Sequence, residues 1–186
     1  LILLLVGSAA GGLYGELGVV VMIAFGTLVL HGMALLRGTG NLASLGIAAS
    51  YLWVGVHALS NDWMVLGLHL VPLEDDLLTF LLMAAITGMN AVMATRFAHH
   101  DNWFSAGLHA VGVGRPGLWA VSVGLGMVGA TLSVAANRAE VGYALAQVAL
   151  LLIAFSGSYL TVRKVPWPDL QLWVLWLPAV FTLATI

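Results

Sequence analysis

The sequence contains no cysteine, and charged residues make up only 8% of its 186 residues. The lack of thiols excludes disulfides, thiolate metal sites and cysteine catalysis. Ordinary soluble domains have roughly 25% charged residues. A soluble fold of this length could not cover its apolar surface with so few charges. The net charge of −2 gives no indication of a nucleic-acid partner.

Hydrophobic residues make up 61% of the chain, and the solvent that accepts such a surface is the lipid bilayer. Helices satisfy their own backbone hydrogen bonds in lipid, and the alternating polarity of a membrane β-barrel is not visible. We therefore predict an all-α polytopic membrane protein, a single transmembrane domain over residues 1–186 with about six helices. The predicted spans are residues 17–36, 42–59, 77–98, 118–136, 141–162 and 170–186.

Three shorter segments are assigned separately. Residues 1–15 are either a signal-peptide remnant, since SAA resembles a small-residue cleavage site, or part of an additional or longer helix. Residues 63–73 and 103–114 are too short to cross a bilayer, and each opens with a tryptophan, which favours the headgroup level. We predict that both are interfacial or re-entrant.

The charges divide between the two sides of the predicted membrane layout. With six crossings, five of the six basic residues fall on one side and six of the eight acids on the other. The positive-inside rule makes the basic side cytoplasmic. We expect a bacterial or archaeal cell-membrane protein whose N- and C-termini both lie outside.

The helix interiors contain almost no ionisable groups, which disfavours ion-coupled transporters, pumps and acid–base catalysis. Asn90 and Gln147 are the main polar residues at depth. They either form interhelical hydrogen bonds or line a polar pore. Small residues at four-residue spacing, such as Gly46 and Ser50, predict close helix packing.

Histidines form an inner and an outer group in this layout. The inner group could hold a b-type haem through neutral imidazoles, with His31 paired to His99 or His100 at similar depth. The competing interpretation is that these histidines are amphipathic residues at the water–lipid interface, since no pair of histidines has the HxxxH spacing. The inner cofactor candidates are His31, His99, His100 and His109.

The outer histidine His69 lies close in sequence to a run of three acids, Glu74, Asp75 and Asp76. Carboxylate oxygens together with an imidazole could bind a divalent metal. The alternative is a solvated helix N-terminus, where carboxylates complement the helix dipole.

No catalytic motif is present, and two classes of function remain. The first is a non-catalytic integral subunit of a larger membrane complex, of respiratory, photosynthetic or other oxidoreductase type, with other subunits or further copies as partners in the bilayer. The second is a channel or facilitator for a small neutral solute. Six helices with both ends outside are similar in layout to the proton-gated urea and amide channels, and this resemblance implies pH-sensing groups on outer loops. The substrate-capture component of a vitamin importer is also similar in length and helix count.

Overall fold

The computed structural model describes residues 14–61, 63–65, 67–112, 114–115, 117–136 and 140–162. Apart from one two-residue strand pair, their regular structure is helical. The helices are α1 (Glu16–Arg37), α2 (Gly40–Leu59), α3 (Asp76–Arg96), α4 (Trp103–Ala110), α5 (Leu118–Ala135) and α6 (Val141–Val162). Strands β1 (Met64–Val65) and β2 (Leu68–His69) pair antiparallel between α2 and α3.

The predicted all-α polytopic membrane fold is confirmed. Four helices, α1, α2, α3 and α6, are long and apolar enough to cross a membrane, and α5 contains a shorter apolar stretch, Leu118–Ser133. The predicted sixth span, residues 170–186, lies outside the described residues, as does most of segment 1–15. Of the two short apolar segments, 63–73 contains the β-hairpin and 103–114 contains α4.

The five long helices pack as a ring. Each of α1, α2, α5, α6 and α3 contacts the next in that order, and α3 closes the ring against α1. Helix α3 also contacts α2 and α5 across the interior. Helix α2 is the most buried span, whereas α1 and α6 each bury only 28% of theirs. Inward-facing residues of α1 recur at close to helical spacing: Val19, Ile23, Thr27, His31 and Ala34.

Helices α1 and α2 run in opposite directions and are joined by a tight turn. Gly38 caps α1 in the left-handed conformation, with φ 63°, and its N–H donates to the carbonyl of Ala34. A residue without a Cβ adopts this φ at little cost, so the chain reverses into α2 within two residues. The beginning of α2 then packs against the α3–α4 connection, since a methyl group at Gly40 would lie 2.8 Å from the backbone oxygen of Asp101.

The helix ends collect at two ends of the bundle. At the acidic end, the backbone N–H of Asp75 donates to the Glu16 carboxylate, and that of Glu140 donates to Asp76. At the opposite end, which we call the histidine end, the backbone N–H of Trp103 donates to the side chain of Asn41. The acidic end carries Glu16, Glu74, Asp75, Asp76 and Glu140; the histidine end carries Arg37, Arg96, His99, His100, Asp101, His109 and Arg115.

Candidate functional site

The bundle interior contains a chain of hydrogen bonds that links three helices. The Nε2 of His31 donates to the side-chain oxygen of Asn90 at 2.8 Å, because an amide oxygen can only accept. The Asn90 amide nitrogen donates to the Ser50 hydroxyl at 3.0 Å, and Ser50 donates to the carbonyl of Ile47 at 2.8 Å. All three polar side chains are buried, with His31 only 3% exposed. Helices α1, α2 and α3 are therefore joined through Asn90.

Further polar groups lie beside this chain. The hydroxyl of Tyr51 is 3.4 Å from that of Thr87 and lies near the side chains of Asn90 and Ser122. The buried Ser122 hydroxyl has no hydrogen-bond partner among the described residues. Together with His31 and Ser50, these groups are uncharged and come from α1, α2, α3 and α5. We define the interior polar cluster as His31, Ser50, Tyr51, Thr87, Asn90 and Ser122.

Close packing holds the His31 ring in place. A methyl group at Gly46 would lie 2.8 Å from both Cε1 and Nδ1 of His31, so the glycine lets the ring lie against the α2 backbone. One imidazole nitrogen is thus hydrogen-bonded to Asn90, and the other faces a neighbouring helix. In this arrangement His31 is a packing and hydrogen-bonding group.

The structure does not bring the four inner histidines together. His99 and His100 are exposed and line a cleft at the histidine end, and the His100 ring packs edge-on against Phe97. His31 lies in the bundle interior, and His109, exposed in the last turn of α4, does not line that cleft. A haem held jointly by His31 and His99 or His100 stays a prediction that would require this arrangement to change.

Gln147 on α6 is buried, with 2% of its surface exposed. Neither polar atom of its side chain has a hydrogen-bond partner among the residues that the structure describes. An amide without hydrogen-bond partners in an apolar interior is costly. Gln147 differs in this respect from Asn90, whose amide oxygen and nitrogen both have partners. The packing and pore interpretations of Gln147 both stay predictions.

The carboxylates of the predicted metal site mostly satisfy backbone groups. Asp75 caps α3 by accepting from the N–H of Leu78 at 2.9 Å. Its own N–H donates to Glu16 at 2.8 Å, and Asp76 accepts from the N–H of Glu140 at 3.1 Å. Glu74 is exposed, and His69 is exposed in β2. Across the described ranges, no three His, Asp or Glu side chains are grouped so that they could hold a metal ion.

His57 has a structural role that the sequence did not indicate. It is fully buried near the end of α2, and its Nδ1 donates to the carbonyl of Val71 at 2.8 Å. The backbone oxygen of His57 accepts from the N–H of Leu73 at 3.3 Å. These bonds hold the segment after the hairpin against α2, with Leu70 and Leu73 buried beneath it. Only its place near a span end was visible in the sequence.

The fold defines a polytopic all-α membrane protein with an uncharged polar interior and chemically different ends. Comparison with known proteins finds no matching family model, no matching curated protein and no matching solved structure.

Proposed function

We propose that this protein is a non-catalytic integral subunit of a larger membrane protein complex. The observation that carries the proposal is the contrast between the outward faces of α1 and α6. Both helices bury little of their span against the part of the chain that the structure describes. Their exposed residues nevertheless differ in size, and size distinguishes a lipid-facing surface from a helix-packing surface.

The exposed face of α1 consists of large apolar side chains, which suit contact with lipid tails. They include Leu17, Val21, Phe25, Leu28, Leu35 and Leu36. The exposed face of α6 instead carries small residues at seven-residue spacing, Gly142, Ala149 and Ser156. Between them stand Leu145, 61% exposed, and Ile153, 71% exposed.

Small residues allow two helix backbones to approach closely in lipid, where association depends on packing rather than on the hydrophobic effect. A seven-residue repeat matches the left-handed crossing of about 20° common in membrane bundles. Leu145 and Ile153 would insert between side chains of the opposing helix. These features support a partner helix on α6 and lipid on α1.

The test compares one enlarged residue on each outward face. The Ala149→Phe variant should reduce co-purification of partner chains from native membranes in mild detergent, because the ring keeps the helices apart. The matched Val21→Phe variant should leave co-purification unchanged, since lipid adapts to the ring. The wild-type chain running alone, or equal recovery from both variants, would overturn the proposal. A lower melting temperature for Ala149→Phe without loss of partners would instead place a segment of this same chain on α6.

A bound haem would make this a cofactor-bearing subunit of the oxidoreductase type. His99 and His100 are the histidines best placed for it, because they are exposed and line a cleft. The absorbance spectrum of the purified complex tests this directly. A Soret band that is lost in a variant with both histidines replaced by alanine is expected; a colourless complex would contradict it.

The second candidate function is passage of a small neutral solute, and the interior polar cluster favours it. Hydroxyl, amide and imidazole groups from four helices meet there without a buried carboxylate, and such groups suit a neutral hydrogen-bonding solute. Flux of urea into proteoliposomes, compared between wild type and a Ser122→Leu variant, tests this candidate. Equal flux in protein-free vesicles would exclude it for that solute.

We also propose that the histidine end faces the cytoplasm. Of the described charged residues there, three are arginines and one is an aspartate, whereas the acidic end carries five carboxylates. The bias of arginine and lysine toward the cytoplasm supports this orientation.

A further inference from the structure

The histidine end contains a cleft of about 480 Å³. It lies where the end of α3 meets the beginnings of α2, α4 and α5. Its volume falls in the range of roughly 300–1,000 Å³ typical of ligand sites. Its polar lining includes Asn41, His99, His100, Asp101, Asn102 and Arg115.

Three helix N-termini converge on this cleft. Asn41 is the second residue of α2, Trp103 is the first of α4 and Leu118 is the first of α5, and all three line it. The N-terminus of a helix carries a partial positive charge of about half an elementary unit. Thr39, which precedes α2, makes no side-chain capping bond. At α4, by contrast, the N–H of Ser105 donates to Asn102 and that of Trp103 donates to Asn41. The uncapped beginning of α2 is therefore the backbone feature that favours an anion in the cleft.

The side chains add to this preference. Arg115 is exposed and lines the cleft, and its planar guanidinium can form two parallel hydrogen bonds to a phosphate. His99 and His100 can donate to the same group. Asp101 is the opposing charge in the lining, so it should weaken anion binding and gives a second means of testing the site.

The remaining walls indicate an amphipathic ligand. Ala98, Ala106 and Leu118 line the cleft beside the polar groups. Trp103 is about half exposed at the beginning of α4, and partly exposed tryptophan favours the headgroup level of a bilayer. A ligand here would place a polar group among the helix N-termini and an apolar part toward the membrane.

We propose that this cleft, as the alternative to a haem on His99 and His100, is a binding site for the phosphate of an anionic phospholipid headgroup, with Arg115 as its principal side-chain contact. The uncapped beginning of α2 supplies a directional field, and the apolar walls accept the beginning of the acyl chains.

Native mass spectrometry of the purified full chain, titrated with phosphatidylglycerol in detergent, tests the site. Arg115→Gln should weaken binding about tenfold, as expected for loss of a charge-assisted hydrogen bond. Arg37→Gln is the matched control, because Arg37 lies at the same end but does not line the cleft; its affinity should stay within about twofold of wild type. Asp101→Asn should tighten binding.

The source of the phosphate and the integrity of the variant are tested in the same series. Inorganic phosphate should not displace the lipid, since it lacks the apolar part. Arg115→Lys should recover part of the affinity, which separates charge from folding. Equal weakening by Arg115→Gln and Arg37→Gln, or weaker binding by Asp101→Asn, would overturn the proposal. Displacement by millimolar inorganic phosphate would reassign the cleft to free phosphate and so overturn the lipid assignment.

Discussion

The side chain of Asn90 forms hydrogen bonds to two other buried side chains, His31 and Ser50. Its oxygen accepts from His31 and its nitrogen donates to Ser50, so the amide orients the imidazole on one side and the hydroxyl on the other. Hydrogen bonds between membrane helices contribute modestly, about 0.6 kcal/mol on average. Loss of Asn90 has a larger effect than one average bond because it removes two bonds and leaves the Nε2–H of His31 buried without its acceptor, whereas Ser50 keeps its bond to Ile47.

We predict that Asn90→Leu lowers the free energy of unfolding by about 1–2 kcal/mol. The measurement is reversible unfolding in mixed micelles, followed by helical circular dichroism. The His31→Phe, Asn90→Leu double variant should lose less than the sum of the two single variants, because removing both partners leaves no orphaned donor. Strict additivity of the two losses would show that the His31–Asn90 bond carries no coupling.

At the scale of the elements, the close approach of α1 to α2 depends on Gly46. The His31 ring occupies the space where a Cβ would stand, and this contact brings the ring into line with Asn90 on α3. Gly88 on α3 is a useful contrast, since a Cβ there would meet nothing within 4 Å. The two glycines therefore have different roles, although each lies four residues from another small residue, Ser50 for Gly46 and Ala84 for Gly88.

We predict opposite signs for alanine at these two positions. Gly46→Ala should destabilise the protein by about 1–3 kcal/mol, because the added methyl displaces a buried ring. Gly88→Ala should be neutral or stabilise by up to about 1 kcal/mol, since alanine is the better helix former. Melting temperatures in one detergent give the comparison. Similar decreases in melting temperature for both variants would mean that the His31 ring moves aside at little energetic cost.

At the scale of the whole molecule, the bundle separates charge between its ends. Carboxylates at the acidic end accept from the backbone N–H groups of Asp75, Leu78 and Glu140, so part of that charge also holds helix ends together. Among the described residues, three arginines and three histidines, His99, His100 and His109, lie at the other end. The ring of helices between them contains uncharged polar groups, which lipid-embedded bundles bury more readily than ions.

We predict that a membrane-impermeant maleimide reacts with Asn61→Cys in intact cells, and with Thr39→Cys only after the cells are permeabilised. The chain has no native cysteine, so each introduced thiol reports alone. Asn61 and Thr39 are both exposed, one beyond the end of α2 and the other in the α1–α2 turn. Labelling with the opposite pattern would reverse the proposed orientation.

Composition and hydropathy were enough to predict the membrane class and the all-helical fold. Each helix in lipid must satisfy its own backbone and offer an apolar exterior, so the information is local and can be read from runs such as residues 17–36 and 77–98. The hairpin at residues 64–69 was not predicted, because two short strands depend on pairing with each other.

The partners of the polar residues depended on the tertiary structure. The sequence by itself determined that Asn90 lies at depth in an apolar helix and that histidines occur near the span ends. Only the tertiary structure decided that His31 turns inward to Asn90 while His99 and His100 face a cleft, and that Asp75 caps a helix. The physical reason is that burial in lipid is a property of each segment, whereas a hydrogen-bond partner from another helix is set by the rotation and depth of both helices in the packed ring.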